Sequence, residues 1–256
     1  MKFFTRRQMR SIHKGMQARQ ARALRARSVD EEGQPRREPY LRLLAPNLDR
    51  LVIVAALAFP DFKPGLVDRL LVMAESENVE AVVVLNKVDL LNQREVAERY
   101  RALYAGLGYA TLLTSTVTGE GIGELRARLG GRSAFCGHSG VGKSSLLLAL
   151  APELQPQTQE VSLATGKGQH TTTSIRLYRG SWGELFDLPG LKLAPLHMER
   201  EELARYFPDF AACRCKFRDC QHQCEPGCAV KAAVADGLVD EERYQSYLRI
   251  LESLEN

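Results

Sequence analysis

Gly137-His138-Ser139-Gly140-Val141-Gly142-Lys143-Ser144 follows the spacing GxxxxGK[ST], and each residue type in it suits one task in holding a polyphosphate. The glycines let successive backbone N–H groups turn inward around phosphate oxygens. Lys143 can reach the β and γ phosphates. The Ser144 hydroxyl can ligate Mg²⁺, and Ser145 follows in the same turn. The helix starting here adds its positive end. "SAFCG" reads as an apolar strand entering the loop and "KSSLLLALA" as the helix leaving it. Gly137 through Ser145 are therefore the expected phosphate-binding residues.

A phosphate loop does not name the base. Asn86-Lys87-Val88-Asp89, an NKxD at the end of an apolar run, can do so. An aspartate at 89 can accept hydrogen bonds from guanine N1–H and the 2-amino group. Adenine offers neither donor, so the carboxylate would be left unpaired, which is costly. Lys87 can lay its methylene stem over the base, and Asn86 can tie loops together. In "TSTVTGEGI", residues 114–122, Ser115 and the Thr116 backbone N–H can meet guanine O6. Asp187-Leu188-Pro189-Gly190 is a DxxG, in which Asp187 can hold Mg²⁺ through water and the Gly190 N–H can sense a γ-phosphate. Between these, "GKGQHTTTS", residues 166–174, reads as a polar switch loop offering a threonine to Mg²⁺, with Thr172 the favoured one.

These five guanine-nucleotide elements stand in a rotated order. The base-reading loops come first, then the phosphate loop, then the two switches. A sheet of βα units tolerates this if the old chain ends are joined and a new cut is made elsewhere. The DxxG is then the last nucleotide element, and the segment beyond it is attached almost directly to the γ-phosphate sensor. That segment contains "CKFRDCQHQCEPGCAV". Cys215, Cys220, His222 and Cys228 would make a closed tetrahedral Zn²⁺ site, structural because no ligand position is left open. On sequence alone Cys213 and Cys224 are alternates. Tyr244, Tyr247, Leu248 and Leu251 share one face of a C-terminal helix that should pack on this module, and Asp240 with Glu241 and Glu242 suits its start.

The elements that must position these residues alternate. Apolar runs such as "RLVIVAALA" and "VEAVVVLNKVD" read as buried parallel strands. "LVDRLLVMAES" and residues 93–107 read as helices, and "TSIRLY" pairs plausibly with "ELFDLPG". The expected class is α/β: a circularly permuted P-loop GTPase domain over 46–205, a small zinc-binding helical module over 206–256, and a basic, flexible tail and linker over 1–45. Nine of the 35 Lys and Arg, and none of the 31 acidic residues, fall within residues 1–27. The remainder is thus net acidic, and the tail suits a polyanion. Met9, Ile12 and Met16 have helical spacing there, consistent with a helix that forms on a partner. No apolar run is long enough to cross a bilayer, and the N-terminus lacks a signal core. Five of the six cysteines fall between Cys213 and Cys228, which points to metal rather than disulfides. These features imply a cytoplasmic protein with no membrane partner; a monomer is expected, although the sequence does not fix oligomeric state.

"NLDRLVIVAA", "NKVDLL", "TGEGI", "GHSGVGKSSL", "GKGQHTTT", "DLPG" and the cysteine segment, in this order, resemble the circularly permuted GTPase family RsgA (YjeQ), over roughly residues 46–256. The zinc spacing of that family selects Cys215, Cys220, His222 and Cys228. The resemblance implies GTP hydrolysis to GDP and phosphate, stimulated by the small ribosomal subunit during its late maturation, with rRNA as partner. It also implies that His170 takes part in hydrolysis. The residue after DxxG, where many GTPases place a water-orienting Gln, is here Leu191, which leaves room for another polar group. Family members usually carry an OB-fold barrel between tail and GTPase domain. Here roughly 19 residues stand there, too few for five strands. That difference sets up a second expectation: a GTP-regulated RNA- or protein-binding paralogue that does not dock on the ribosome.

Overall fold

The computed structural model describes residues 41, 45, 47–152, 157–164, 170–180, 183–188, 196 and 198–254, with the side chains of 157–164 and 170–174 outside that description. All of these lie in one compact unit, Pro39–Asn256. The readings made for the basic tail and for Gly190 fall outside the described residues.

Seven strands form one sheet: β1 (Arg50–Ala56), β2 (Glu80–Asn86), β3 (Ala110–Thr114), β4 (Arg132–Cys136), β5 (Gln157–Ala164), β6 (His170–Gly180) and β7 (Gly183–Asp187). Their order across the sheet is β3-β2-β1-β4-β7-β6-β5. The first five in that order run parallel, and β6 and β5 are added antiparallel at one edge. Helices α1 (Pro64–Ser76), α2 (Arg94–Gly106) and α3 (Ile122–Arg128) make the crossovers between the first four strands, and α4 (Lys143–Leu150) follows β4.

The continuous apolar runs are explained by burial on both faces. Along β1, Leu51, Ile53 and Ala55 enter one core, while Val52, Val54 and Ala56 enter the other. Along β2, Val83 and Leu85 divide from Val82 and Val84 in the same way. α1 and α2 cover the first face, and α3 and α4 the second.

Two parts of the sequence reading need correction here. Residues 170–174 belong to β6 rather than to a loop, with Thr172 paired to Ser162 and His170 to Ala164. A run of β-branched threonines suits a strand once a partner strand is present. That partner, β5, was not foreseen, because "QTQEVSLA" is a polar edge strand with little apolar signal.

The C-terminal part comprises two 3-10 turns, Arg200–Tyr206 and Pro208–Phe210, then α5 (Ala229–Ala235) and α6 (Glu241–Ser253). α6 starts as expected: the Asp240 carboxylate accepts from the N–H groups of Glu242 and Arg243. Tyr244, Tyr247 and Leu251 are buried, and α6 also lies along α1, close enough that a Cβ on Gly65 would stand 3.5 Å from Ser246 Oγ.

Candidate functional site

Adjacent parallel strands bring their carboxyl ends to one edge of the sheet, the place where an open α/β sheet binds its ligand. β2 ends at Asn86, β3 at Thr114, β4 at Cys136 and β7 at Asp187. The loops at these ends therefore converge although they are scattered along the chain.

Asn86 joins two of them. Its Nδ2 donates to the Val141 carbonyl in the phosphate loop at 2.9 Å, and its Oδ1 accepts from Thr114 Oγ1 at 2.9 Å. Both Asn86 and Thr114 are buried. Two glycines are required by this closeness. Gly142 has φ +95°, and a Cβ there would stand 2.4 Å from Asn86 Nδ2. Gly137 has φ +144°, and a Cβ would stand 2.0 Å from the Val54 carbonyl oxygen. Side chains larger than glycine are excluded at both places.

Lys87 adopts a left-handed conformation, φ +64°, and its Nζ donates to the Phe59 carbonyl. Asp89 lies exposed in the 3-10 turn Val88–Leu90. Ser115 is buried, and its Oγ accepts from the N–H groups of Val117 and Thr118, each at 3.1 Å. The hydroxyl thus shapes the loop beside half-buried Thr116, and only its hydrogen is left to donate.

In the phosphate loop, Lys143 Nζ donates to the carbonyls of Gly137 (2.9 Å) and His138 (3.1 Å). Burial lowers the Lys143 pKa, opposed by the charge of Asp187. Burial raises the Asp187 carboxyl above its ordinary value, opposed by Lys143, Arg176 and the Ser144 hydroxyl. Ser139, Gly140, Ser144 and Ser145 are exposed, on the open side of the loop. The hydroxyl of Ser144 beside the Asp187 carboxylate is a hard-oxygen donor pair of the kind Mg²⁺ takes. The side chains of His170 and Thr172 lie outside the description. Their backbones sit on β6, two strands from the phosphate loop's own β4. A narrow cleft lies between the phosphate loop, at Gly137, His138 and Val141, and α1, at Leu66, Val67 and Leu70.

The second constellation lies in the C-terminal part. One ligand atom each from Cys215, Cys220, His222 and Cys228 lie within 4.8 Å of one another. His222 Nδ1 is 3.5 Å from Cys215 Sγ and 3.4 Å from Cys228 Sγ, and those two sulfurs are 4.0 Å apart. A tetrahedral zinc with Zn–S of about 2.3 Å and Zn–N of about 2.0 Å has edges of roughly 3.8 Å between sulfurs and 3.5 Å from nitrogen to sulfur. The donor set therefore fits such a metal. Cys213 and Cys224 stand outside the group, Cys224 being exposed. Burial lowers the His222 pKa and favours the neutral ring that a metal requires. Burial works against ionising Cys215, but the N–H groups of Ala229 and Val230 together with the thiols of Cys220 and Cys228 outweigh it and hold that thiol below its usual range. Tyr244 Oη donates to the His222 carbonyl at 2.6 Å, and Tyr247 Oη to that of Gln221 at 2.9 Å.

A family model for the RsgA GTPase matches residues 29–197. The small ribosomal subunit biogenesis GTPase RsgA of Histophilus somni is 43% identical over 243 residues, which is 89% of this chain and 69% of that protein. This chain belongs to the RsgA GTPase family. RsgA 1 of Vibrio vulnificus is 44% identical over 84% of this chain and 62% of its own length. The crystal structure of YjeQ from Thermotoga maritima superposes with a TM-score of 0.68 and 36% identity, over 82% of this chain and 72% of that one. YloQ, a circularly permuted GTPase, gives 0.63 and 30%, over 82% and 69%. The fold is thus the circularly permuted GTPase, with β2 and β3, which lead into the NKxD and the 114–122 segment, ahead of β4 in the chain.

Sequence reasoning missed Thr114, the Phe59–Lys63 approach to Lys87, and the ion cluster behind α1. Asp68 and Arg243 are 1% and 2% exposed. Arg243 Nη1 donates to Asp68 Oδ1 at 2.6 Å, and its Nε and Nη2 donate to Asp209 at 2.9 Å each. The available signal was faint: a polar residue ending the apolar strand "TLLT", and an acid inside the apolar turn "LVDRLL".

Proposed function

We propose that this chain is a GTP-hydrolysing assembly factor acting in late maturation of the small ribosomal subunit, with hydrolysis stimulated by that subunit. The observation that carries the reading is the buried Thr114–Asn86–Val141 connection, which sets base loop against phosphate loop in a chain of this family. The names of the relatives, small ribosomal subunit biogenesis GTPases, supply the substrate assembly.

In this reading Asp89 accepts from the guanine edge, Lys87 covers the base, and Ser115 and the Thr116 N–H serve O6. Lys143, now held by the carbonyls of Gly137 and His138, turns its ammonium to the β and γ phosphates. The backbone N–H groups from His138 to Ser145 cradle them. Ser144 and Asp187, with Thr172, hold Mg²⁺, which would neutralise the developing phosphate charge. The Gly190 N–H senses the γ-phosphate, and His170 assists hydrolysis. Cys215, Cys220, His222 and Cys228 hold one structural Zn²⁺. GTP-state changes at the DxxG segment reach the adjoining zinc module and alter affinity for rRNA.

Lys143→Ala tests this directly. It should abolish measurable GTP turnover and nucleotide-dependent binding to purified small subunits. Retention of both would end the proposal.

A further inference from the structure

The Phe59–Lys63 segment and α1 form one side of the nucleotide site. The Phe59 carbonyl receives Lys87 Nζ. A Cβ on Gly140 would meet Pro60 at 3.7 Å. Leu66, Val67 and Leu70 of α1 face the phosphate loop across the cleft. In the same turn, Asp68 points away from that cleft and into Arg243. Arg243 sits on α6, bonded bidentately to Asp209, with its guanidinium 5.0 Å from the Phe207 ring centroid. Adjacent on α6, Tyr244 bonds the carbonyl of His222, itself a member of the Cys/His cluster. One turn on, Tyr247 bonds Gln221.

From these contacts we propose that Arg243 is a positioning residue for the guanine-nucleotide site: it locks α1, and with it the Phe59–Lys63 segment that holds Lys87, to the metal-binding module. The inference rests on the nucleotide site proposed above. Its physical basis is rigidity. A planar fork bridging two buried carboxylates on separate elements allows little relative sliding. α1 and α6 are in close contact at Gly65 and Ser246 as well. The DxxG connection therefore has a companion route. Metal fixes the loop carrying His222, α6 carries that order to Asp68, and α1 presents it to Lys87 and the phosphate loop. Binding of metal and of nucleotide should then be coupled, each raising the affinity of the other by the same factor.

Asp68→Val and Asp68→Asn separate this role from mere stability. Valine is close in shape and removes both carboxylate oxygens, leaving Arg243 paired with Asp209. Asparagine keeps an oxygen for Arg243. Arg243→Lys is a further variant, keeping positive charge beside Asp209 without the fork that bridges to Asp68. Fluorescent GDP would be titrated into zinc-loaded and chelated protein, with the folded fraction checked by circular dichroism. Asp68→Val and Arg243→Lys should bind about tenfold more weakly than wild type, and Asp68→Asn should restore binding. Chelation should weaken wild type and Asp68→Asn by a similar factor and leave Asp68→Val and Arg243→Lys unchanged. Equal affinity in folded Asp68→Val and Asp68→Asn, or equal loss on chelation in every variant, would overturn the inference while leaving the site intact. Wild type that binds no guanine nucleotide would overturn both.

Discussion

At the residue scale, Asn86 does more than mark a motif. Its amide is held at both ends, by Thr114 and by Val141, and both contacts are buried. A buried side-chain bond with no water to replace it is worth about 1–3 kcal/mol when one partner is removed. Thr114→Val should therefore lower stability in denaturant by about that amount and weaken GTP binding in a nucleotide titration, because Asn86 would then be free to leave Val141. An unchanged denaturation midpoint with unchanged affinity would show that Asn86 is held some other way. The placement of Asn86, Lys87, Asp89 and Lys143 at the carboxyl ends of β2 and β4 was legible from sequence, since motifs of fixed spacing stand directly after apolar runs. Thr114 was not. Its importance comes from a contact between neighbouring strands β2 and β3, 28 residues apart in the chain, and no local pattern records that.

At the scale of elements, the Cys/His segment has little regular structure of its own between the Pro208–Phe210 turn and α5. What orders it is the cluster of ligands, the aromatic contacts of Phe210 and Tyr247 with His222, and the two tyrosine hydroxyls of α6. Purified protein should carry about one equivalent of zinc by elemental analysis, and chelation should lower the thermal midpoint with partial loss of helical signal. Protein without metal and with an undiminished midpoint would remove the metal from the account. The strands and helices before this segment were legible because burial on both sheet faces leaves unbroken apolar runs, as in β1 and β2. β5 was hidden for the opposite reason. It is a polar strand at the sheet edge, paired only with β6 among the described strands. The glycines before His170 then drew the loop reading too far along the chain.

At the scale of the whole molecule, α1 and the C-terminal part that carries the Cys/His cluster share a buried charge cluster. Arg243 from α6 serves two carboxylates, Asp68 from α1 and Asp209 from the second 3-10 turn, so the group carries one excess negative charge. Burial pushes the Asp68 carboxyl up to about 6, with Asp209 adding to the rise and Arg243 and Ser246 opposing it. Asp68 Oδ2 and the Tyr104 hydroxyl of α2 have no hydrogen-bond partner among the described residues. A raised carboxyl binds its proton more tightly in the folded state than in the unfolded one. Its contribution to stability is therefore largest below the unfolded value near 4 and is lost as pH rises through about 6, a cost of about 3 kcal/mol at pH 7. Asp68→Asn should thus gain on wild type in urea unfolding as pH goes from 4.5 to 7. A constant difference between the two would refute the assignment. This cluster was invisible in the sequence because its members are separated by up to 175 residues and look, one at a time, like surface charges.

In the proposed function, the small ribosomal subunit drives this site to hydrolyse GTP. The measurement is GTP turnover by the purified protein, with and without purified small subunits, at low and high salt. Slow turnover alone and strong stimulation by the subunit are expected. That stimulation should fade as salt rises, because charged contacts to RNA release counterions. Intact GTP binding with no stimulation at either salt would contradict it and direct attention to another RNA or a protein partner.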